Sequence, residues 1–361
     1  MRLGIIGLPQ SGKTTIFNAL TRGDQPVTMS GGRIEIRTAV VDVPDPRVDR
    51  LVEMFHPLKT TYAKVIYADI AGLEGNSGKN GNEKKGISGQ LLNQLSQMDG
   101  FVHVVRCFEN ASVPYPSGSL DPQRDIEAMD SELLLNDLIS VERKLERLVE
   151  EKKKSGGRDK AVIERETALF EKFQATLSDG TPLRDIDLDT EQIKTLSGFG
   201  LLTLKPVLIV LNLADEQTPP EIEYHHRFSA VVPLQGRLEM ELSQLSAEDA
   251  ELFMNDFGIQ ELGLQRVINQ SYDLLGLQSF FTVGEDEVRA WTVRRGASAL
   301  EAAGAIHTDL QKGFIRAEVI GYAELFELGG LVEARARGRL RLEGKEYPVQ
   351  DSEIMHVRFS L

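Results

Sequence analysis

Cysteine is almost absent. Cys107 is the single one in 361 residues, so a disulfide framework within the chain and a zinc-ribbon spacing are both excluded. Cys107 sits in the apolar run from Phe101 to Phe108 and reads as a buried small hydrophobe; a redox-sensitive thiol is the minority reading. Positive charge is also short. Lys and Arg number 41 against 55 Asp and Glu, a net charge of −14. Such a chain does not coat bulk nucleic acid, so DNA is not expected as a partner, although a local basic patch stays open. No apolar run reaches the roughly 20 residues that span a membrane. No membrane partner is expected. The N-terminus has no signal-peptide pattern, so a cytoplasmic protein is the expectation. There are no internal repeats and no long low-complexity tract.

What is present is a series of short apolar strands. Arg2 to Gly7, Thr38 to Val43, Ala63 to Asp69, Phe101 to Val105, Val207 to Leu211 and Phe228 to Val232 are near-continuous apolar runs with helical stretches between several of them. Runs of this kind belong to a sheet covered on both faces, and the alternation predicts a doubly wound α/β domain. The rhythm stops between Val105 and Val207. Ile126, Met129, Leu133, Leu134, Leu138, Val141, Leu145 and Leu148 recur at steps of three and four, and so do Val162, Leu169, Phe170, Phe173 and Leu177. Two such seams joined across a Gly-containing turn predict an antiparallel helical hairpin inserted into the α/β domain. From about Leu277 the texture becomes strand-like again around one helical stretch, a small α+β domain. The expected division is 1–120 with 200–276 for the nucleotide-binding domain, 121–199 for the helical arm and 277–361 for the C-terminal domain.

Residues Gly7 to Thr14 read Gly-Leu-Pro-Gln-Ser-Gly-Lys-Thr and fit G-x-x-x-x-G-K-[ST]. Glycines let backbone N–H groups turn inward around phosphates, a lysine supplies charge to the β- and γ-phosphates, and a threonine hydroxyl can ligand Mg²⁺. The spacing therefore assigns phosphate binding to Gly7, Pro9, Gln10, Ser11, Gly12, Lys13, Thr14 and Thr15, with the following helix aiming its positive end at the site. Asp69 closes a strand pattern and Gly72 follows it. Asp-x-x-Gly after such a loop predicts that Asp69 holds Mg²⁺ with Thr14, and that Gly72 meets the γ-phosphate beside the catalytic Lys13. Leu73 stands where Ras-like GTPases place a water-orienting glutamine, which predicts slow intrinsic hydrolysis. Asn76 to Gly86, with Lys79, Lys84 and Lys85, reads as a polar switch loop.

Several of these stretches resemble the YchF / Obg-like ATPase family of P-loop nucleoside triphosphatases. They are the phosphate loop running on to Thr21, Val43 to Leu51, Asp69 to Leu73, Val102 to Phe108, and the C-terminal run from Phe280 onward, which is similar to the family's TGS-type β-grasp domain. The resemblance spans nearly the whole chain. It implies a nucleotide-hydrolysing domain, a coiled-coil arm, a β-grasp domain, work on the ribosome or its rRNA, and ATP in preference to GTP. An apolar residue at 73 fits the family. Some positions depart from it. The family's Asn-Val before Gly-Lys is here Gln10-Ser11, which removes an asparagine that can help hold potassium in related enzymes and leaves K⁺ open. The expected switch threonine is replaced, at about Arg33, with Thr28 and Thr38 as alternatives. The family's Asn-x-x-Glu is here Asn212-Leu213-Ala214-Asp215. An aspartate at 215 can accept from guanine N1 and N2, and Leu213 can supply apolar contact to a base. ATP and GTP therefore both stay open. Ser229 and Ala230 resemble the last base-contacting motif, whose backbone N–H groups contact the base, with a plain strand turn as the alternative.

Basic residues Lys152, Lys153, Lys154, Arg158 and Lys160 at the hairpin tip, and Val293 to Gly296 with Lys312, Arg316 and Trp291, are candidate rRNA-facing patches, with ordinary solvated surface as the alternative. His225-His226 reads as an exposed pair, His103 as satisfied within its strand, and His307 with Asp309 as loop hydrogen bonding. The reading is a nucleoside triphosphatase of low intrinsic rate. Its rivals are a hydrolysis-deficient nucleotide-binding scaffold, a true GTPase, and, more remotely, a small-molecule kinase.

Overall fold

The computed structural model describes residues 1–23, 36–70, 87, 89–115, 118–153, 158–196, 198–256 and 261–360. In chain order the elements are β1 (Arg2–Ile6), α1 (Lys13–Thr21), β2 (Ile36–Asp42), α2 (Pro46–Phe55), β3 (Lys59–Thr61), β4 (Lys64–Ile70), α3 (Gly89–Ser96), β5 (Gly100–Arg106), α4 (Pro122–Lys153), α5 (Lys160–Ser178), α6 (Thr190–Leu196), β6 (Val207–Asn212), β7 (Ser229–Leu234), α7 (Gly236–Ser243), α8 (Ala247–Asp256) and α9 (Gly263–Leu274). They continue with β8 (Leu277–Thr282), β9 (Glu287–Arg294), α10 (Ala299–Ile306), α11 (Thr308–Lys312), β10 (Phe314–Gly321), α12 (Tyr322–Leu328), α13 (Leu331–Ala336), β11 (Arg341–Glu343) and β12 (Glu353–Phe359). The chain forms two units, 1–39 with 66–267 and 40–65 with 268–361.

The first unit is built on a sheet of order β2-β4-β1-β5-β6-β7. The pairs β1–β4, β1–β5, β5–β6 and β6–β7 are all parallel. Strands β5 and β6 are buried along their whole length, as their near-continuous apolar runs lead one to expect. Helix α1 buries Ile16, Phe17 and Leu20, the apolar positions of its pattern. Helices α4 and α5 form the expected pair. Val141, Leu169, Phe170, Phe173 and Leu177 join Leu183, Leu196 and Leu201 in a core of their own. The helix period brings those apolar positions to one face, and burial of that face, more than propensity, holds a pair of this kind together.

The second unit has a sheet of order β11-β10-β12-β8-β9-β3. Its core packs α10 through Ala299, Ala302 and Ala303 against Phe280, Phe314, Val319 and Met355. Small residues on that helix face let it lie close to the sheet. The segment 40–65 lies in this unit although it falls inside the first of the expected domains. Strand β3 pairs with β9 in parallel, and Arg47 of α2 bonds both Asp45 and Asp351. Local pattern gives β3 three residues and no partner, so only the tertiary pairing could place it.

No described helix is long and apolar enough to cross a membrane.

Candidate functional site

The parallel register aligns the carboxyl ends of the central strands. Ile5 pairs with Asp69, Ile6 with His103, Arg106 with Asn212, and Asn212 with Leu234. The loops leaving Ile6, Arg106, Asn212 and Leu234 therefore emerge on one edge, where open α/β sheets bind ligands. The loop Gly7 to Gly12 emerges there and runs into α1.

This loop needs its glycines. Gly7 has φ 152°, and a Cβ there would stand 2.4 Å from the Val104 carbonyl oxygen. Gly12 has φ 95°, and its Cβ would meet the Asn212 amide nitrogen at 2.1 Å. Gln10, with φ 63°, also takes the left-handed conformation. Successive turns of this sort point backbone N–H groups into one concavity. The Lys13 ammonium donates to the carbonyls of Gly7 at 3.0 Å and Leu8 at 2.9 Å, so it lies across the loop. The Thr14 hydroxyl donates to the Asp69 carboxylate at 3.2 Å. Thr14 and Asp69 are 55 positions apart in sequence and adjacent in space, the arrangement expected for them. Ser11 is buried, while Pro9, Gln10 and Thr15 are partly exposed. Gly72, Leu73, Thr28, Arg33, Lys79, Lys84, Lys85 and Lys154 lie outside the described residues. Thr38 is an exposed residue within β2.

Asn212 closes β6 at this edge. It is only 4 % exposed. Its Nδ2 donates to the Ser11 carbonyl at 2.9 Å, and its Oδ1 accepts from the Gly236 backbone N–H at 3.2 Å. The side chain thus ties the phosphate loop to the start of α7. Leu213 is 5 % exposed and belongs to the core of the first unit, so it does not supply the apolar contact expected toward a base. Asp215 is exposed on the loop. Gln217, which sequence reasoning passed over, holds that loop: its Oε1 accepts from Ala214 N–H at 2.9 Å and its Nε2 donates to the Cys107 carbonyl at 2.6 Å.

Ser229 and Ala230 require correction. They open β7, opposite Val207 and Leu208, whereas Leu234 is the residue opposite Asn212. Five residues of strand put Ser229 roughly 17 Å from the nucleotide edge. Gln235 and Gly236 stand at that edge instead. The signal available in the sequence was the apolar run continuing through Leu234 and then breaking at Gln235-Gly236.

Other residues sort quickly. Cys107 is buried, and burial pushes its thiol up to about 12, well out of the reactive range. His103 is buried beneath the loop. Burial first, and the Lys13 charge second, push it down to about 3, so the ring is neutral. His226 is not a free exposed residue; its Nδ1 lies 2.7 Å from Asp185. His307 caps α11 by accepting from Asp309 N–H at 3.2 Å. At the hairpin tip, Arg158 pairs with Glu166 at 2.6 Å and Glu151 at 3.3 Å, and Lys152 with Glu164 at 3.0 Å. Those two charges serve the helical pair as well as any outside partner. Trp291 donates to Thr282 at 2.9 Å, with the Arg289 guanidinium 3.8 Å from its ring centroid, and Arg295 pairs with Asp273 at 2.8 Å.

Known proteins resemble this chain in both parts. A family model described as a 50S ribosome-binding GTPase matches residues 2–144. A second, YchF-GTPase_C, described as a protein of unknown function (DUF933), matches residues 277–360. The ribosome-binding ATPase YchF of Haemophilus ducreyi is 40% identical over 100% of this chain and 99% of its own length. That of Bacillus subtilis is 37% identical over 99% of each. The solved structure of the Schizosaccharomyces pombe YchF GTPase aligns at a TM-score of 0.81 and 28% identity, covering 99% of this chain and 97% of its own. With identity of this level running the full length of both partners, the chain belongs to the YchF family.

Proposed function

We propose that this chain is a cytoplasmic, Mg²⁺-dependent nucleoside triphosphatase that works with the ribosome, splitting the β–γ bond of ATP. The observation that carries this is the convergence of Lys13, Thr14 and Asp69 at the carboxyl edge of the sheet, with the Thr14 hydroxyl 3.2 Å from Asp69. The relatives bearing the names ribosome-binding ATPase and 50S ribosome-binding GTPase support the ribosome as partner.

The donor set suits Mg²⁺. Thr14 and Asp69 offer hard oxygen atoms, and no group of three or more His, Cys, Asp or Glu that could hold a metal occurs among the described residues. A partial set of this kind fits an ion that keeps waters and takes its other ligands from substrate phosphates. Thr14 and Asp69 would hold the ion, which would neutralise charge building on the phosphates. The loop N–H groups bind and orient the phosphates. Lys13 lies across the loop already and needs only to exchange the Gly7 and Leu8 carbonyls for phosphate oxygens. No covalent step is asked of the protein; catalysis is positioning and charge stabilisation. The helical arm and the C-terminal TGS-like domain are the surfaces for rRNA in this reading.

A second reading takes GTP. It is favoured by Asp215, exposed on the Asn212 loop and able to accept from guanine N1 and N2. Calorimetric titration with non-hydrolysable ATP and GTP analogues in Mg²⁺ separates the two, because a tenfold preference is about 1.4 kcal/mol. Tighter ATP binding is expected. Tighter GTP binding that Asp215→Ala abolishes would overturn the ATP assignment. Turnover that stays flat when ribosomes are added would convert the enzyme reading into that of a nucleotide-fixed scaffold.

A further inference from the structure

Lys205 lies outside the phosphate loop, the base loop and every motif in the sequence. Its ammonium donates to three carbonyl oxygens at the C-terminal end of α3 and just beyond: Leu95 at 2.8 Å, Ser96 at 2.7 Å and Met98 at 2.5 Å. Leu95 and Ser96 belong to the last turn, where the helix's negative end lies, and the Leu95 carbonyl also accepts from Met98 N–H at 3.2 Å, so a cation there is well placed. The ring of Phe101 lies 5.7 Å away. The same short segment touches α3 a second time. Gly200 has φ 60°, and a Cβ there would meet Ser96 Cβ at 2.7 Å.

The other side of the segment is gripped by the helical pair. Asp137, buried on α4, accepts from Leu202 N–H at 2.8 Å, from Thr203 N–H at 2.7 Å and from the Thr203 hydroxyl at 2.6 Å. Two residues past Lys205 the chain enters β6, a strand buried along its length. The far end of β6 is Asn212, which holds the Ser11 carbonyl of the phosphate loop. A single stretch, 200–206, is thus fixed to α4, to α3 and to the strand that braces the phosphate site. Among the described helices, α3 is the first after Asp69 in the chain.

We propose that Lys205 is a positioning residue that ties the helical pair to α3 and, through β6, to the phosphate loop, so that a partner acting on the arm alters turnover. The inference rests on the hydrolase reading given above. The tie is stiff because the Asp137 bonds are buried, because the Asp137 and Lys205 bonds are charge-assisted, and because β6 is buried along its length. Burial lowers the Lys205 ammonium to about 8, against the raising influence of Asp99 and Asp137, the two carboxylates that act on it. The capping contact therefore weakens as pH rises through that value. A neutral amine still donates, but without the charge that favours the helix end.

The test compares full-length wild type with Lys205→Met, Lys205→Arg, Asp137→Asn and the double variant Lys205→Met with Asp137→Asn. Two readouts are taken: steady-state ATP hydrolysis in Mg²⁺, and amide hydrogen exchange over residues 91–98. Lys205→Met should lower kcat about tenfold with KM within about twofold, the signature of lost positioning rather than lost binding. Lys205→Arg, which keeps the charge, should recover part of that loss and controls for misfolding. The double variant should be no slower than the worse single one, because both groups act through one segment. Wild-type kcat should fall between about pH 7 and pH 9 while Lys205→Met stays flat. Unchanged kcat in Lys205→Met, or losses that multiply in the double variant, would overturn the proposal. If wild type releases no phosphate, the hydrolase reading falls. The tie is then judged by exchange alone: Asp137→Asn must speed exchange over 91–98, and failure to do so refutes it.

Discussion

Asn212→Ala separates two roles that a base-loop asparagine can have. The side chain is 4 % exposed and bridges the Ser11 carbonyl and the Gly236 N–H, at 2.9 and 3.2 Å. Truncation leaves both backbone groups buried without that partner. Each such group costs about 1–3 kcal/mol, so the two together give a loss of roughly 2–6 kcal/mol of folding stability. The same truncation frees the loop whose glycine at 12 packs against this amide, where even a methyl group would stand 2.1 Å from Nδ2. The phosphate cradle should therefore loosen for every ligand that carries the phosphates. The assay is urea unfolding of the nucleotide-free protein, followed by calorimetry with the ATP analogue, the GTP analogue and inorganic triphosphate. A lowered unfolding midpoint is expected, with affinity falling by a similar factor for all three ligands. An unchanged midpoint, or a loss confined to nucleotides and spared in triphosphate, would refute the bracing role and return Asn212 to base reading alone.

Two further outcomes follow from buried titratable groups. His103 is held well below the usual imidazole range of about 6.5, down to about 3, by burial and then by Lys13. The stability it contributes is complete above its unfolded pKa and drains as pH falls, because only the unfolded chain takes up the proton. His103→Leu should flatten the decline in unfolding midpoint between about pH 6.5 and pH 4, and parallel curves for the two proteins would show that the ring is not buried neutral. In the helical pair, burial tends to raise the Glu166 carboxyl, but Lys144 at 2.7 Å and Arg158 at 2.6 Å outweigh it and leave it lowered. Its stabilisation is present above the unfolded carboxylate pKa and disappears as pH falls through the folded one. Glu166→Gln should cost about 1–3 kcal/mol at pH 7, a deficit that shrinks as acid protonates the folded carboxyl, measured by far-ultraviolet circular dichroism of thermal unfolding. A deficit that persists in acid would mean that lost packing, and not the ion pair, is responsible.

By itself the sequence determined those features that short-range physics encodes. The spacing Gly7, Gly12, Lys13, Thr14 fixes backbone turns and the start of a helix, so the phosphate loop was legible residue by residue. The three-and-four spacing through Val141, Phe170 and Phe173 fixes one apolar helix face each, so the helical pair was legible too. Unbroken apolar runs such as Val207 to Leu211 disclosed a sheet covered on both faces.

Only the tertiary structure decided what depends on register and on partners far along the chain. Ser229 and Leu234 belong to the same apolar run, and nothing local says which of them stands opposite Asn212; parallel pairing with β6 does. Leu213 follows a buried strand by one residue, and core packing rather than loop chemistry turned it inward. Strand β3 is three residues with no strong pattern, and β9 more than two hundred positions later gave it a place in the second unit's sheet. Lys205 has no motif at all. Its role exists because folding brings three carbonyls of α3 and the carboxylate of Asp137 around one segment, and contacts between residues so distant leave no periodic trace in the sequence.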